Sequence, residues 1–310
     1  MTWSVYRWTW RLESPLYVGT TPAGSLNRCR LYIPARTLWA ALTAELARLQ
    51  HSGAGDRLPD YHRVGEDAKQ NFRLTYLYPA EKVQETWRAW LPRYEDGKGL
   101  VWMREDRDPA TGPLPDREFR PRLLHTRPST AIDPLTDTAQ EGSLRETECV
   151  QPRWRDEGGK EARPVAFVGY ILVKEAKGSD FQQLCEIKRL FVGGDTRYGL
   201  GRLGIQGEPQ LDSKIFNLSM LLDRDDPMVM GWVVLAHSRA PDSMLGAREA
   251  LLRWDMRTLR PLTTDESPLW APGSCWAGQG HAATFKIDEA GIWHFESNKA
   301  SDELKNGKVA

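Results

Sequence analysis

IKRLFVGGDTRYGLGRLG, residues Ile187 to Gly204, decides how this chain is read. Gly193, Gly194, Gly199, Gly201 and Gly204 stand among Lys188, Arg189, Arg197 and Arg202, with Tyr198 in their midst. Glycine has no Cβ and accepts positive φ, so its backbone can come close to a ligand. Arginine supplies forked donors that match phosphate. Together they read as a cradle for a polyanionic backbone. N–H groups around Gly193, Gly194, Gly199 and Gly201 would donate, Arg197 and Arg202 would neutralise charge, and Tyr198 would stack on a base.

Gly199-Leu-Gly201-Arg-Leu-Gly204 also matches the GxGxxG of dinucleotide sites. That fingerprint needs a strand before the glycines and a helix opening on them. Here the order is reversed. Ser179-x-x-Gln182 fits a capping box, and Phe181, Leu184, Ile187 and Phe191 keep helical spacing up to the loop. The following IQGEPQLD starts a helix poorly, so a short strand over 200–206 is expected. No Lys-Ser/Thr pair closes a phosphate loop of the Walker type. A plain glycine turn remains the bland alternative, and Arg197 and Arg202 are more than such a turn requires.

Outward from the loop, VYRWTWRLE (5–13) alternates. Tyr6, Trp8, Trp10 and Leu12 share one side, and Arg7, Thr9 and Arg11 the other, which predicts a strand with one buried face. A glycine-bearing loop (19–24) and a strand (28–33) lead to Pro34 and a helix over 35–50 with Leu38, Leu42, Leu46 and Leu49 on one stripe. A strand is expected over 71–79, then a helix over 80–91 carrying Val83, Trp87, Trp90 and Leu91. Proline-rich 104–122 reads as a long exposed loop, and strands are expected over 143–150 and 165–173 with a polar turn (154–163) between. After Asp223–Pro227 a second unit begins, with a strand over 229–237, a helix over 243–254 and strands over 282–287 and 291–296.

The 310 residues suffice for two ordinary domains. The 42 basic and 42 acidic residues cancel, so any nucleic-acid site must be a local patch. Cys29, Cys149, Cys185 and Cys275 are widely spaced without a CxxC pair, which fits buried thiols in a reducing cytoplasm better than a disulfide frame or zinc site. No signal peptide or apolar run of membrane length is read, so a cytoplasmic protein with no membrane partner is expected.

Helix, then GGDTRYGLGRLG, then strand resembles the glycine-rich loop of the RAMP superfamily of CRISPR-associated proteins. LLHTRPSTAIDPLTDTAQEGSLRETECV (123–150) is similar to the mid-domain segment of type III effector subunits, and PLWAPGSCW (268–276) to a Pro-Gly-Ser turn of their guide-capping subunits. The opening strand, the glycine-bearing loop and IPARTLWAALTAEL also fit that family's beginning. The resemblance implies an α+β fold: a ferredoxin-like (RRM-like) βαββαβ domain over 1–210, with a thumb-like insertion at about 104–150 and the glycine loop at 193–204. A second, smaller β-rich or ferredoxin-like unit (211–297) and a polar tail (298–310) would follow.

By the same resemblance, the chain would be a non-catalytic subunit of a CRISPR effector ribonucleoprotein that caps the 5′ handle of the guide crRNA. Its partners would be that RNA, backbone RAMP subunits and a large or nuclease subunit, with target nucleic acid met indirectly. Two alternatives stay open: a backbone subunit that coats the spacer, and an endoribonuclease that processes precursor RNA. Lys188, Arg189, Arg120, Arg122 and Arg127 join the loop as RNA-binding candidates, the last three beside the thumb. For an enzyme, His51 and His62 are the acid–base candidates, and Asp133, with Asp137 near it, is the candidate for metal-dependent cutting. No HxxxH or HExxH pair occurs among the 6 histidines, and no cofactor or metal is expected.

Overall fold

The structure is a computed structural model, and it describes residues 2–51, 58–155, 162–175, 178–255, 258, 260–263, 267–278 and 282–296. The N-terminal unit is built from β1 (Trp3–Leu12), α1 (Ala35–His51), α2 (Tyr61–Asn71), β2 (Phe72–Leu74), β3 (Tyr78–Val83), β4 (Thr86–Glu95), β5 (Gly99–Arg104), β6 (Leu124–Ser129), β7 (Arg145–Val150), β8 (Ala166–Lys174), α3 (Gly178–Glu186), β9 (Arg189–Phe191) and β10 (Arg202–Ile205). One sheet runs β9-β10-β1-β8-β3-β4-β5, with β2 also paired to β8. Along the chain, β1, α1, β2 with β3, β8, α3 and β10 give the βαββαβ order of a ferredoxin-like domain. The mixed α+β class expected from sequence is the class observed.

Every residue of β8 from Ala166 to Val173 is buried, as a central strand covered on both faces requires. The same holds for much of β1, which corrects the expectation of a single buried face. Tyr6, Trp8 and Trp10 lie on the side of α3, with the Tyr6 and Phe181 rings 4.3 Å apart. Trp3, Val5 and Arg7 point the other way and are covered too. There the Arg7 guanidinium donates to Glu105 and, at 2.7 Å, to the Tyr170 hydroxyl, and its positive charge is held firmly by Glu105. An arginine in an alternating strand signals an outward face, but nothing nearby in the sequence reveals a carboxylate 98 positions away.

Two expected helices are strands. Residues 80–91 form the β3–β4 hairpin, turning through Gln84 (φ 52) and Glu85 without the glycine or asparagine that usually marks a two-residue turn. Residues 243–254 carry short strands, Met244–Leu245, Arg248–Glu249 and Leu252–Asp255, and no helix occurs among the described residues beyond 212. The helix read through Phe191 ends at Glu186, and Arg189–Phe191 pairs with β10 instead. The side chain of Ser179 in the proposed capping box, most of the polar turn at 154–163 and the 298–310 tail lie outside the described residues. The stretch read as an exposed loop, 104–122, is partly structural. Its Phe119 is fully buried among Trp90, Trp102 and Trp154.

The C-terminal sheet runs Lys214–Ile215, Leu218–Leu221, Met228–Gly231, Ala283–Ile287, Trp293–Phe295, Ser238–Arg239, Leu269–Trp270 and Arg248–Glu249. It covers the face of the first sheet that carries Arg7. The turn Phe216–Asn217 drives the Phe216 ring edge-on against Tyr170 at 4.9 Å. Tyr78 donates its hydroxyl to the Leu235 carbonyl at 2.8 Å. His237, fully buried, meets the Tyr76 hydroxyl through Nδ1 at 2.6 Å and Glu249 through Nε2, and Glu249 also binds Arg30. The Pro-Gly-Ser turn at 272–274 serves this seam: Gly273 accepts from the Tyr94 N–H at 2.8 Å and so docks on β4.

Burial holds the His237 imidazole below its usual range and outweighs the Glu249 hydrogen bond, with Arg30 acting in the same direction. Burial alone would raise Glu249, but His237 and Arg30 outweigh it and hold the carboxyl low. Both depressed values have the same consequence. As pH falls below about 6.5, the unfolded chain takes up a proton on histidine that the folded chain refuses, so stability falls; Glu249 adds to the loss in more acidic solution. The melting temperature should therefore drop between pH 7.5 and 5.5, and His237→Gln should flatten that drop; an equal pH dependence in the variant contradicts the assignment.

A candidate nucleic-acid interface

Segment Ser14–Val18, which leaves β1, lies between two partners. On one side the Leu16 and Val150 backbones exchange two hydrogen bonds, at 2.9 and 2.8 Å, tying the segment to β7. On the other, the glycine loop closes on it: Gly194 donates to the Tyr17 carbonyl at 2.9 Å, Gly201 to the Pro15 carbonyl at 2.7 Å, and Arg202 to the Ser14 hydroxyl at 2.9 Å. This is why the loop is rich in glycine. A Cβ on Gly193 would lie 2.2 Å from the Tyr17 carbonyl oxygen, and one on Gly201 would lie 1.9 Å from that of Val192. Both also take positive φ, +86° and +75°.

The role expected of the N–H groups is thereby corrected for three of the four glycines. Those of Gly194, Gly199 and Gly201 are donated within the chain, Gly199 to the Thr196 carbonyl at 3.1 Å. Glycine here lets the loop pack against the chain, and side chains are left to face a ligand. The turn Thr196–Tyr198 presents an exposed Arg197 and a Tyr198 that is 75% exposed.

A bridge then joins the loop to the β6–β7 hairpin. Asp195, in the left-handed region, accepts from Arg145 at 2.8 Å. Strand alternation places Arg145, Thr147 and Cys149 on one side of β7, opposite Ser129, Arg127 and His125 of β6. Arg127 and His125 are exposed. Burial pushes the Cys149 thiol beneath them up to about 11, so it stays neutral. The surface thus combines Arg127, Arg145, Arg197, His125 and Tyr198, cations interleaved with rings, the chemistry that grips single-stranded nucleic acid. Arg145 was absent from the sequence candidates, although the alternation of RETECV already aims it with Thr147.

The other candidates divide. Arg189 is exposed on β9 beside Phe191, itself 47% exposed and opposite Arg202, which binds Glu13 at 2.9 Å. Phe191 is a second aromatic platform that the helical reading concealed. Lys188 donates to the Cys185 carbonyl at 3.0 Å. Arg120 is turned to the fold, donating to Glu148 and the Cys29 carbonyl, and Arg122 stacks over Trp90 and Trp154, 5.4 and 5.2 Å from their centroids. Of Arg120, Arg122 and Arg127, only Arg127 is exposed. At the hairpin end Ile132 and Leu135 are exposed, Leu135 to 93%. Asp133 accepts the Leu135 N–H at 2.9 Å as a turn residue, and its carbonyl accepts from Asp137. His51 ends α1, and the exposed His62 lies in the first turn of α2. Among the described residues no group of three or more His, Cys, Asp or Glu could hold a metal ion, and no helix is long and apolar enough to cross a membrane.

No protein-family model and no curated protein matches the sequence. Among solved structures, a chain of the Type III-B Cmr-beta bound to cognate target RNA and AMPPnP is similar over 99% of this chain and 90% of that one, with 13% identity and a TM-score of 0.51. Chains of the Type III-B Cmr-beta bound to cognate target RNA and in its apo state match 65% of this chain and 96% of theirs, with 14% identity and a TM-score of 0.39. The first likeness shows a shared fold.

The packing role of the glycines separates two substitutions. Gly199, at φ +82° with open space around it, should tolerate alanine at a cost of about 1–2 kcal/mol. Gly201→Ala adds a backbone collision and should cost on the order of 3 kcal/mol or more. Urea unfolding measures both, and equal losses would contradict this account of the loop.

Proposed function

We propose that this chain is an RNA-binding subunit of a type III CRISPR effector complex that holds the 5′ handle of the guide RNA and nucleates assembly of the backbone subunits along it. The observation that carries the proposal is the joint between the glycine loop and the β6–β7 hairpin. It ties Arg145, whose strand pairs with that of Arg127, to Asp195 of the loop that carries the exposed Arg197 and Tyr198, a local group of cations and a ring in a chain of balanced charge. The whole-length likeness in fold to a chain of the Type III-B Cmr-beta supports the choice of complex. The exposed apolar end of the hairpin suits a thumb that contacts a splayed base or a neighbouring subunit.

The chain grips without cutting. Binding needs only charge neutralisation and stacking at this surface, and Asp133, the candidate for metal-dependent cutting, is engaged in its own turn. Incubation of the protein with repeat RNA and a divalent cation should leave the RNA intact; cleavage abolished by Asp133→Asn or by His51→Ala/His62→Ala would refute this part.

Binding is tested by titrating single-stranded repeat RNA over a salt series. Arg127→Ala/Arg197→Ala removes two phosphate contacts and should lower the slope of log K against log salt by about 1.4. Tyr198→Ala should weaken binding about tenfold or more with the slope unchanged. Wild-type affinity and slope in the double variant would overturn the proposal.

A further inference from the structure

The sheet face that carries Arg7 is covered by the C-terminal unit at one end and open at the other. Strand alternation puts Arg11 and Glu13 on that face beyond Arg7. Register extends the set, because directly paired residues share a face. Arg11 pairs with Gly204 and Gly204 with Arg189. One step along, Glu13 donates its N–H to the Arg202 carbonyl at 2.9 Å, and Arg202 pairs with Phe191. Two rows of three thus cross β1, β10 and β9: Glu13, Arg202, Phe191 and Arg11, Gly204, Arg189. All but Gly204 are exposed, while Leu12, Leu190 and Leu203 turn to the opposite face and are buried.

Gly204 explains the centre of the patch. A Cβ there would lie 2.5 Å from Glu13 Oε1, so the missing side chain leaves room for the carboxylate among the arginines. Glu13 Oε2 also holds Arg202 Nε at 2.9 Å. Three guanidinium groups against one carboxylate leave the patch cationic, and it lies flat on three strands, which suits an extended polymer. An apolar partner would leave the arginines unmatched. An acidic protein surface would meet Glu13 as a like charge. Single-stranded nucleic acid satisfies every member: phosphates for the arginines, a base for the Phe191 ring, and base amines for a carboxylate that phosphate alone would repel.

We propose that this open sheet face binds a further stretch of single-stranded RNA, with Arg11 and Arg189 on phosphates, a base stacked on Phe191, and Glu13 accepting from the exocyclic amine of that base. The proposal rests on the reading of the chain as an RNA-binding subunit and adds a selectivity to it. Cytosine is favoured over uracil at this position, because uracil presents a carbonyl oxygen where cytosine presents an amine.

Labelled oligocytidine and oligouridine of equal length are titrated into the full chain by fluorescence anisotropy over a salt series. The wild type should bind oligocytidine about tenfold more tightly, and Glu13→Gln should erase the difference. Arg11→Ala should lower the slope of log K against log salt by about 0.7, and Phe191→Ala should weaken binding about tenfold with the slope unchanged. All three side chains are exposed, so the variants leave the buried core intact. A slope lost in Arg127→Ala/Arg197→Ala but kept in Arg11→Ala would leave the loop–hairpin reading standing and overturn the sheet-face site, whose arginines would then fall to an acidic protein surface. The converse would uphold the sheet face and overturn the loop–hairpin reading. Equal wild-type binding of the two oligonucleotides, or a preference kept in Glu13→Gln, overturns the proposal; no binding of either RNA overturns both readings.

Discussion

The backbone of Ser14–Val18 is hydrogen-bonded on two sides at once, by β7 on one and by the glycine loop on the other, and the candidate site depends on that sandwich. The segment lets two parts of the chain that are distant in sequence behave as one surface. Without glycine at 193 and 201 the loop could not approach this segment so closely, and the Asp195–Arg145 bridge would be displaced. Stiffness matters for binding as much as charge does, because side chains already held in place lose less entropy on contact. The glycines therefore act through packing, and Arg127, Arg145, Arg197 and Tyr198 are the side chains proposed to meet RNA.

The same economy governs the seam between the two units. Arg7 and Glu105 are removed from water as a pair, which costs desolvation that only close geometry and the added Tyr170 hydroxyl offset. Phe216 closes over them, and His237, Tyr76, Glu249 and Arg30 form a second polar link nearby. A hydrophobic core runs from Trp3 to Trp293 through both sheets. The loop–hairpin surface is thus mounted on a rigid base.

Much of this was legible in the sequence. Alternation in β1, the leucine stripe of α1, the strands near 145–150 and 166–174 and the helix-loop-strand order around the glycines follow from local periodicity, and they sufficed for the ferredoxin-like class. What failed was non-local. Val83, Trp87, Trp90 and Leu91 fit a helix as well as a strand, and the Gln84–Glu85 turn has no residue that announces it. Arg120 and Arg122 look like free cations in a basic stretch until Glu148, Trp90 and Trp154 are brought beside them. Phe191 is hidden for the complementary reason, since only strand pairing turns it toward solvent, and the alternation that aims Arg145 does not reveal Asp195 as its partner.

The central claim is that the loop–hairpin face grips RNA through side chains on a rigid support. Ultraviolet cross-linking of guide RNA to the full chain, with the modified peptides identified by mass spectrometry, tests it most directly. The account predicts adducts at Tyr198 and His125, with Phe191 as a further contact, and their loss in Arg127→Ala/Arg197→Ala. Adducts confined to the C-terminal sheet, or retained unchanged in that variant, would contradict it.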